Sequence, residues 1–291
     1  MTGARSMGEI KKQALAGVMG WPVNHSLSPN LHGFWLEQYA IDGAYVRLAV
    51  SPANLEAAVR ALPTLGFAGT NVTVPHKEAV MGFVDRIDPV AARIGAVNTI
   101  FVEDDGSLTG TNTDAYGFME NLKDKAPSWQ ARAATCVVLG AGGAARAVVA
   151  SLVDAGVAEV RLVNRTRARA QQLAQSIGGP VCVHDWSAAA AVLDGASLVV
   201  NTTTLGMHNQ PSLDLALDAL PANAVVADIV YVPLVTPLLR QAEARGLATV
   251  DGLGMLLHQA VPGFAGWFGR SPQVTEALRD HVLEILAGRS R

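Results

Sequence analysis

The sequence predicts an α/β protein of two domains, the second a Rossmann-type nucleotide-binding unit. Three observations predict it. A β-rich run ends in a glycine turn and passes directly into a helix-forming run at Cys136-Val-Val-Leu-Gly-Ala-Gly-Gly-Ala-Ala-Arg146. Apolar strand candidates alternate with helical patterns through the first 110 residues. The alternation then restarts at Thr135, after residues 121–134, the most polar and least periodic stretch of the chain. Alternation of this kind builds a mostly parallel sheet covered by helices.

Taken in order, Leu15–Met19, Ala44–Val50, Gly69–Val74 and Ala96–Val102 read as the strands of the first domain. Its helices are Asn30–Tyr39, Ala53–Leu62 and Pro89–Ile94, the second introduced by Ser51-Pro52 as cap and first turn. In the second domain a helix over about Gly143–Ala155 follows the glycine turn and stops at Gly156. Further strands are expected at Glu159–Val163, Pro180–Val183, Ser197–Asn201, Ala224–Asp228 and Ala248–Val250. After Gly252-Leu-Gly254 come two helices, Met255–Phe268 and Pro272–Leu286, with no strand following for them to cover. They are expected to fold back onto the first domain. The boundaries that result are 1–113 plus 252–291 for the first domain and 114–251 for the second.

Composition narrows the function classes. The 291 residues are 50% hydrophobic and 16% charged, with a net charge of −3, so neither nucleic acid nor an anionic membrane is expected as a partner. Cys136 and Cys182 both read as buried, reduced thiols of a cytoplasmic protein, and neither has metal-ligand spacing to another Cys or His. No metal site is expected. Lys11-Lys12 and the apolar run Ala14–Val23 imitate a secretion signal, but glycines and Trp21-Pro22 interrupt the run and no cleavage site follows. Ala133–Val153 imitates a membrane span, yet Arg146 and a glycine cluster break it.

The glycine turn carries a specific chemistry. Gly140 allows the tight turn, Gly142 has no Cβ to hold a pyrophosphate away, and Ala145 lets helix and strand pack closely. The free N–H groups of the helix start then face the diphosphate charge. An NAD site expects an acidic residue about 20 positions later, at the end of the second strand. Here the strand ends in Asn164-Arg165-Thr166-Arg167-Ala168-Arg169, with three arginines and a hydroxyl in that place. Guanidinium groups suit a ribose 2′-phosphate, and cations at a helix start oppose the helix dipole unless an anion neutralises them. NADP is the expected cofactor.

Four polar clusters end strands or enter loops in the first domain: Asn24-His-Ser26-Leu-Ser28-Pro29, Asn71-Val-Thr73-Val-Pro-His-Lys77, Ala96-Val-Asn98-Thr99 and Asn112-Thr-Asp114. Ligands collect beyond the carboxyl ends of strands in α/β sheets, so these clusters can converge. The chain has 17 Arg and only 5 Lys. Lys77 alone among the lysines lies within such a motif; Lys11, Lys12, Lys123 and Lys125 fall near the terminus or in the polar connector.

With these motifs, joined by Asp228-Ile-Val-Tyr231, Thr236-Pro-Leu-Leu239 and Asp251-Gly-Leu-Gly-Met255 to Gln259, the sequence resembles the shikimate dehydrogenase family along its whole length. The resemblance implies reversible, NADPH-dependent reduction of 3-dehydroshikimate to shikimate, in the biosynthesis of aromatic amino acids. It implies substrate contacts from Ser26, Ser28, Thr73, Lys77, Asn98, Asp114, Tyr231 and Gln259, with Lys77 as acid/base beside Asp114. It implies that Gly140, Ala141, Gly142, Gly143 and Ala144, with Asn164, Arg165, Thr166, Arg167 and Arg169, hold NADP. Ile229 and Gly252 would line the nicotinamide side. A small departure is Ala115-Tyr116 after Asp114, where the family often has glycine.

Within the same family the resemblance leaves quinate or an aminoshikimate as alternative substrates. A non-catalytic NADP-sensing regulator predicts a damaged Lys77/Asp114 pair, and both residues are present. A methylene-folate type dehydrogenase wants an extended aromatic cleft, against an aromatic content of 5%. A monomer or homodimer is expected.

Overall fold

The computed structural model describes residues 14–289, so Lys11 and Lys12 lie outside the described residues. Its strands form two six-stranded sheets. The first contains β1 (Ala14–Gly20), β2 (Gly43–Ala49), β3 (Phe67–Val72), β4 (Arg86–Ile87), β5 (Thr99–Val102) and β6 (Leu108–Thr111). Helices α1 (Ser28–Gln38), α2 (Leu55–Ala61) and α3 (Pro89–Ile94) connect them, and α4 (Asp114–Lys125) leads out. The second is built from β7 (Thr135–Leu139), α5 (Gly143–Asp154), β8 (Glu159–Asn164), α6 (Arg167–Ile177) and β9 (Val181–Asp185). It continues with β10 (Leu198–Asn201), β11 (Val225–Asp228), α7 (Pro237–Ala244) and β12 (Ala248–Val250). Three helices close the chain: α8 (Gly252–His258), α9 (Ala260–Phe268) and α10 (Glu276–Arg289).

The second sheet runs β12-β11-β10-β7-β8-β9 with every pairing parallel. From β7 the chain winds outward one way, then returns to β10 and winds the other. A crevice therefore opens beyond the carboxyl ends of β7 and β10, where such sheets bind their ligands. Both faces are covered, and continuous apolar strands such as Cys136–Leu139 are buried throughout, as a parallel sheet requires.

The first sheet keeps a parallel majority, three pairings of five, but carries one antiparallel strand. Its order is β2-β1-β3-β5-β6-β4, and β5 is antiparallel to both β3 and β6. The cause is local. Asp104-Asp105-Gly106 forms a tight turn, with Gly106 at φ +80°, leaving no room for a crossover helix and forcing a hairpin. The returning strand, Leu-Thr-Gly-Thr, is too polar and short to declare itself.

Other differences have equally local causes. Residues 121–125 of the polar stretch complete α4, a helix that buries Phe118 and Leu122 and leaves Lys123 and Asp124 exposed. A 3₁₀ turn, Pro52–Asn54, precedes α2, and Ser51 makes no side-chain capping bond. The expected helix 255–268 starts earlier, at Gly252, where Asp251 caps it by accepting from Leu253 N at 3.0 Å. It breaks at Gln259, because Pro262 has no N–H to offer the carbonyl of His258. The last helix starts later than Pro272, after Thr275, whose hydroxyl accepts from Leu278 N. Cys136 is fully buried, but Cys182 is exposed, correcting the expectation for that residue. It lies on β9, an edge strand whose alternate side chains face out.

The closing helices pack against the first sheet. Leu253, Leu257, Phe264, Trp267, Leu278 and Val282 share a buried cluster with Ala16, Val18, Leu31 and Trp35. Trp267 Nε1 donates to the carbonyl of Ile100 at 3.0 Å, and a Cβ on Gly69 would lie 2.2 Å from that nitrogen. Glycine is required there, both for this approach and for its φ of +155°. Truncating Phe264, which is fully buried, to alanine is expected to cost about 3–5 kcal/mol. On the opposite side α3 is tied to α5: Arg93 pairs with Asp154, and Arg146 Nε donates to the carbonyl of Ile94.

Candidate active site

The register of the first sheet brings the four polar clusters to one edge. Asn71 at the carboxyl end of β3 pairs with Thr99 at the start of β5, and Thr99 pairs with Thr111 at the end of β6. Because β5 is antiparallel, the residues before it (Asn98) and after β6 (Asn112–Asp114) emerge beside those after β3 (Thr73–Lys77). Ser26 and Ser28 arrive from the loop after β1, which pairs with β3 directly. Ser28 begins α1 without capping it; its own N–H donates to Ser26 Oγ at 3.3 Å.

These residues surround a cavity of about 240 Å³. All eight of the predicted substrate residues line it: Ser26, Ser28, Thr73, Lys77, Asn98, Asp114, Tyr231 and Gln259. Gln259 arrives because α8 packs closely on α4. A Cβ on Gly117 would fall 2.7 Å from Gln259 N, so glycine sets that approach. Met255 and Leu256 add an apolar wall, which sequence reasoning missed because they read only as core positions of a helix.

Lys77 Nζ lies 2.5 Å from Asp114 Oδ2, the lysine side chain 23% exposed and the aspartate 10%. A charge pair this far from water is held by geometry as well as attraction, since removing either partner strands the other. The remaining oxygen, Asp114 Oδ1, accepts from Asn98 Nδ2 at 2.9 Å. Asn98 Oδ1 accepts from Thr113 N at 2.8 Å and from the Thr99 hydroxyl at 3.0 Å. Asn112 fixes the turn itself, its oxygen accepting from Asp114 N and its nitrogen donating to the Ala96 carbonyl. Asn71, Thr99 and Thr113 were visible only as members of motifs; no signal marked them as the hydrogen-bond partners of Asn98.

The elements around the second sheet reach the cavity through Ala144 on α5 and Tyr231 after β11, and Gly252, the first residue of α8, lines it too. Gly252 is there because its Cα lies against the backbone of Ile229: a Cβ would fall 2.2 Å from that carbonyl oxygen. Ile229 itself is half-buried behind Gly252 and does not line the cavity. The remaining predicted cofactor residues follow the carboxyl ends of β7 and β8 in the second sheet. Gly140 ends β7 at φ +109°, where a Cβ would meet the Thr202 hydroxyl at 2.6 Å. Gly142 precedes α5 in open space, with nothing within 4 Å of a Cβ position, and Gly143 and Ala144 form the first turn. Ala141 is half-buried in the same loop.

The starts of α5 and α6 differ from those of α3, α7 and α8. Asp88, Thr236 and Asp251 cap the latter three with side-chain oxygens. Both α5 and α6 begin with no side-chain cap and no acidic residue in the first turn. Their free N–H groups point where phosphates are expected, so a dinucleotide fits this cradle. Asn164 Nδ2 donates to the carbonyl of Thr166 at 2.8 Å and shapes the turn after β8. Thr166, Arg165, Arg167 and Arg169 are all exposed on it. Arg167 pairs with Asp185 of the neighbouring strand β9 at 2.9 Å, whereas neither Arg165 nor Arg169 forms an ion pair among the described residues. At the mouth of the crevice, burial pushes the Asp228 carboxyl up to about 6, against the opposing hydrogen bonds of Val230 N, the Thr236 hydroxyl and Asn201 Nδ2. No cluster of metal-ligating side chains occurs among the described residues, and no helix there is long and apolar enough to cross a membrane.

Comparison with known proteins agrees with this geometry. Residues 18–100 match the family model for the shikimate dehydrogenase substrate binding domain, and residues 121–254 match that for shikimate / quinate 5-dehydrogenase. The shikimate dehydrogenase (NADP(+)) of Paramagnetospirillum magneticum is 65% identical over 272 residues, covering 94% of this chain and 99% of the relative. The crystal structure of shikimate 5-dehydrogenase from Thermus thermophilus in complex with NADP(H) and shikimate is 37% identical, with a TM-score of 0.82 over 94% of this chain and 99% of that one. Quinate dehydrogenase from Corynebacterium glutamicum in complex with NAD is 33% identical, with a TM-score of 0.87 over 94% and 99%. The chain belongs to the shikimate dehydrogenase family.

Proposed function

We propose that this chain catalyses the reversible reduction of 3-dehydroshikimate to shikimate with NADPH, using Lys77 as the acid/base and Asp114 as its partner. The observation that carries this is the Lys77–Asp114 pair at 2.5 Å, set in a cavity lined from the first sheet and, across from it, by Ala144 and Tyr231. Bound NADPH supplies the hydride. The chain's own residues supply the rest. Lys77 Nζ places positive charge beside the developing alkoxide and gives it a proton; in the reverse direction the same nitrogen accepts the hydroxyl proton. Asp114 Oδ2 holds the ammonium in line, and Asn98 keeps the carboxylate from rotating.

Ser26 and Ser28, which line the cavity, present hydroxyls to the substrate carboxylate. Thr73, Asn98, Tyr231 and Gln259 read its ring hydroxyls, since hydroxyl and amide groups both donate and accept. Glycine and alanine of the 140–144 turn cradle the diphosphate, and Arg165 with Arg169 grips the 2′-phosphate. Residues 1–113 with 252–291 act as the substrate domain and 114–251 as the NADP domain, which supports closure of one on the other during turnover. The site is one for small molecules; we place the enzyme in the cytoplasm, as a monomer or homodimer.

The test is direct. Initial rates with NADP or NAD, and with shikimate or quinate, are read as absorbance of the reduced nicotinamide. The pair NADP with shikimate is expected to be fastest. Lys77→Ala is expected to lower kcat by about 10²–10⁴ while NADPH affinity stays near normal. Wild-type turnover in that variant removes Lys77 from the mechanism.

A further inference from the structure

Beneath the cavity, and not lining it, lies a buried phenol. Tyr45 on β2 is 8% exposed, and its hydroxyl donates to Asn71 Oδ1 at 2.5 Å. From there a chain of hydrogen bonds runs in one direction. Asn71 Nδ2 donates to the Thr99 hydroxyl at 3.0 Å and to the Asn98 carbonyl at 3.2 Å. The Thr99 hydroxyl donates to Asn98 Oδ1 at 3.0 Å, and Asn98 Nδ2 donates to Asp114 Oδ1 at 2.9 Å. The chain ends on a carboxylate, whose other oxygen faces Lys77.

The direction follows from what each group can do. A carboxylate only accepts, so Asn98 turns its NH₂ toward Asp114 and its oxygen toward Thr99. The Thr99 proton is then committed to Asn98, so Thr99 accepts from Asn71. That leaves the Asn71 oxygen facing Tyr45, which must donate. Burial supports this role: it pushes the Tyr45 phenol well above its ordinary 10, so the hydroxyl keeps its proton, even though the Ser28 side chain hydrogen-bonds to the same group and pulls the other way. The ring is held too. His32, fully buried, stacks on Tyr45 with centroids 3.9 Å apart and planes 3° from parallel.

We propose that Tyr45 is a positioning residue for the proton-transfer pair: its hydroxyl heads a one-way hydrogen-bond chain through Asn71, Thr99 and Asn98 that fixes Asp114 for Lys77. This rests on the reading that Lys77 and Asp114 carry the proton transfer. Without the phenol hydroxyl, the Asn71 oxygen is left unpartnered in a buried site and the amides downstream lose a fixed orientation.

The experiment is a double-mutant cycle on kcat for shikimate oxidation. Tyr45→Phe is expected to lower kcat about 5- to 30-fold with the KM for NADP unchanged. In the Asp114→Asn background the same substitution is expected to cost less than about twofold, because the carboxylate that the chain positions for Lys77 has gone. Equal losses in the two backgrounds, or no loss in the first, overturn the proposal; a merely structural tyrosine gives equal losses. Thr99→Val cuts the same chain midway without changing shape, and it carries the identical comparison if Tyr45→Phe does not fold. If Asp114→Asn alone leaves kcat at the wild-type value, it is the acid/base reading that falls, and the proposal with it.

Discussion

Acid sensitivity offers a quantitative test of the packing beneath the site. His32 is 0% exposed, and neither ring nitrogen has a hydrogen-bond partner. Its neighbours are the rings of Tyr45, Trp35, Phe264 and Trp267. Burial lowers its pKa from 6.5 to about 3. The folded state thus holds the ring neutral at pH values where the unfolded chain takes up a proton. The sign follows: His32 costs nothing above pH 6.5, and its acid penalty grows as pH falls below that, until the folded ring itself titrates near 3. At ~1.4 kcal/mol per pH unit, the penalty reaches about 3 kcal/mol at pH 4. Stacking on Tyr45 returns some of this to a cationic ring, ~0.5–2 kcal/mol, which is smaller than the desolvation it opposes.

The perturbation is His32→Phe, which keeps a flat ring and removes the titration. Denaturant unfolding of both proteins at a series of pH values from 7.5 to 4 gives two stability curves. A constant offset between them reports repacking and is immaterial. The difference in slope is the result: the wild type is expected to lose at least ~2 kcal/mol more than the variant on going to pH 4. Parallel curves refute the reasoning, because they mean that the ring finds a proton-compatible partner in the fold.

Three further outcomes follow from the second sheet. Arg165→Ala is expected to raise the KM for NADPH about 10- to 150-fold, from ~1.5–3 kcal/mol for a lost charge-assisted bond, and to leave the KM for NADH unchanged. Arg167→Ala, whose guanidinium is already engaged by exposed Asp185, is expected to change it less than about fivefold; an equal effect of the two would remove the distinction drawn between them. Thiol titration of the native protein is expected to count one reactive group, exposed Cys182. Cys136 is fully buried, its thiol pushed up to about 12, and is expected to react only on unfolding. Two fast thiols in the native state would contradict that burial.

How far the sequence reaches is visible in where it succeeded. The glycine turn was legible because each residue there meets a constraint that few side chains satisfy. Gly140 needs a positive φ and has the Thr202 hydroxyl against it, and Ala145 is fully buried between helix and strand. The strands of the second sheet were legible because a parallel sheet covered on both faces demands unbroken apolar runs. Strand β6 was not, because Thr109 and Thr111 alternate with Leu108 and Gly110 in a segment with little apolar content. Its existence depends on a hairpin partner rather than on its own propensity.

The site divides the same way. Lys77 and Asp114 stood out as rare charged residues inside motifs, but their contact depends on the antiparallel turn of β5 that brings residues 112–114 back beside residue 77. Tyr45 had no signal at all. In Gly-Ala-Tyr-Val-Arg-Leu-Ala it reads as one more β-former, and only the pairing of β1 with both β2 and β3 sets it next to Asn71. Residues that touch a ligand can be recognised by their chemistry, because an isolated polar group in an apolar setting asks for a partner. Residues that orient those groups are satisfied by the fold, and so they become visible only when the hydrogen bonds are followed one by one.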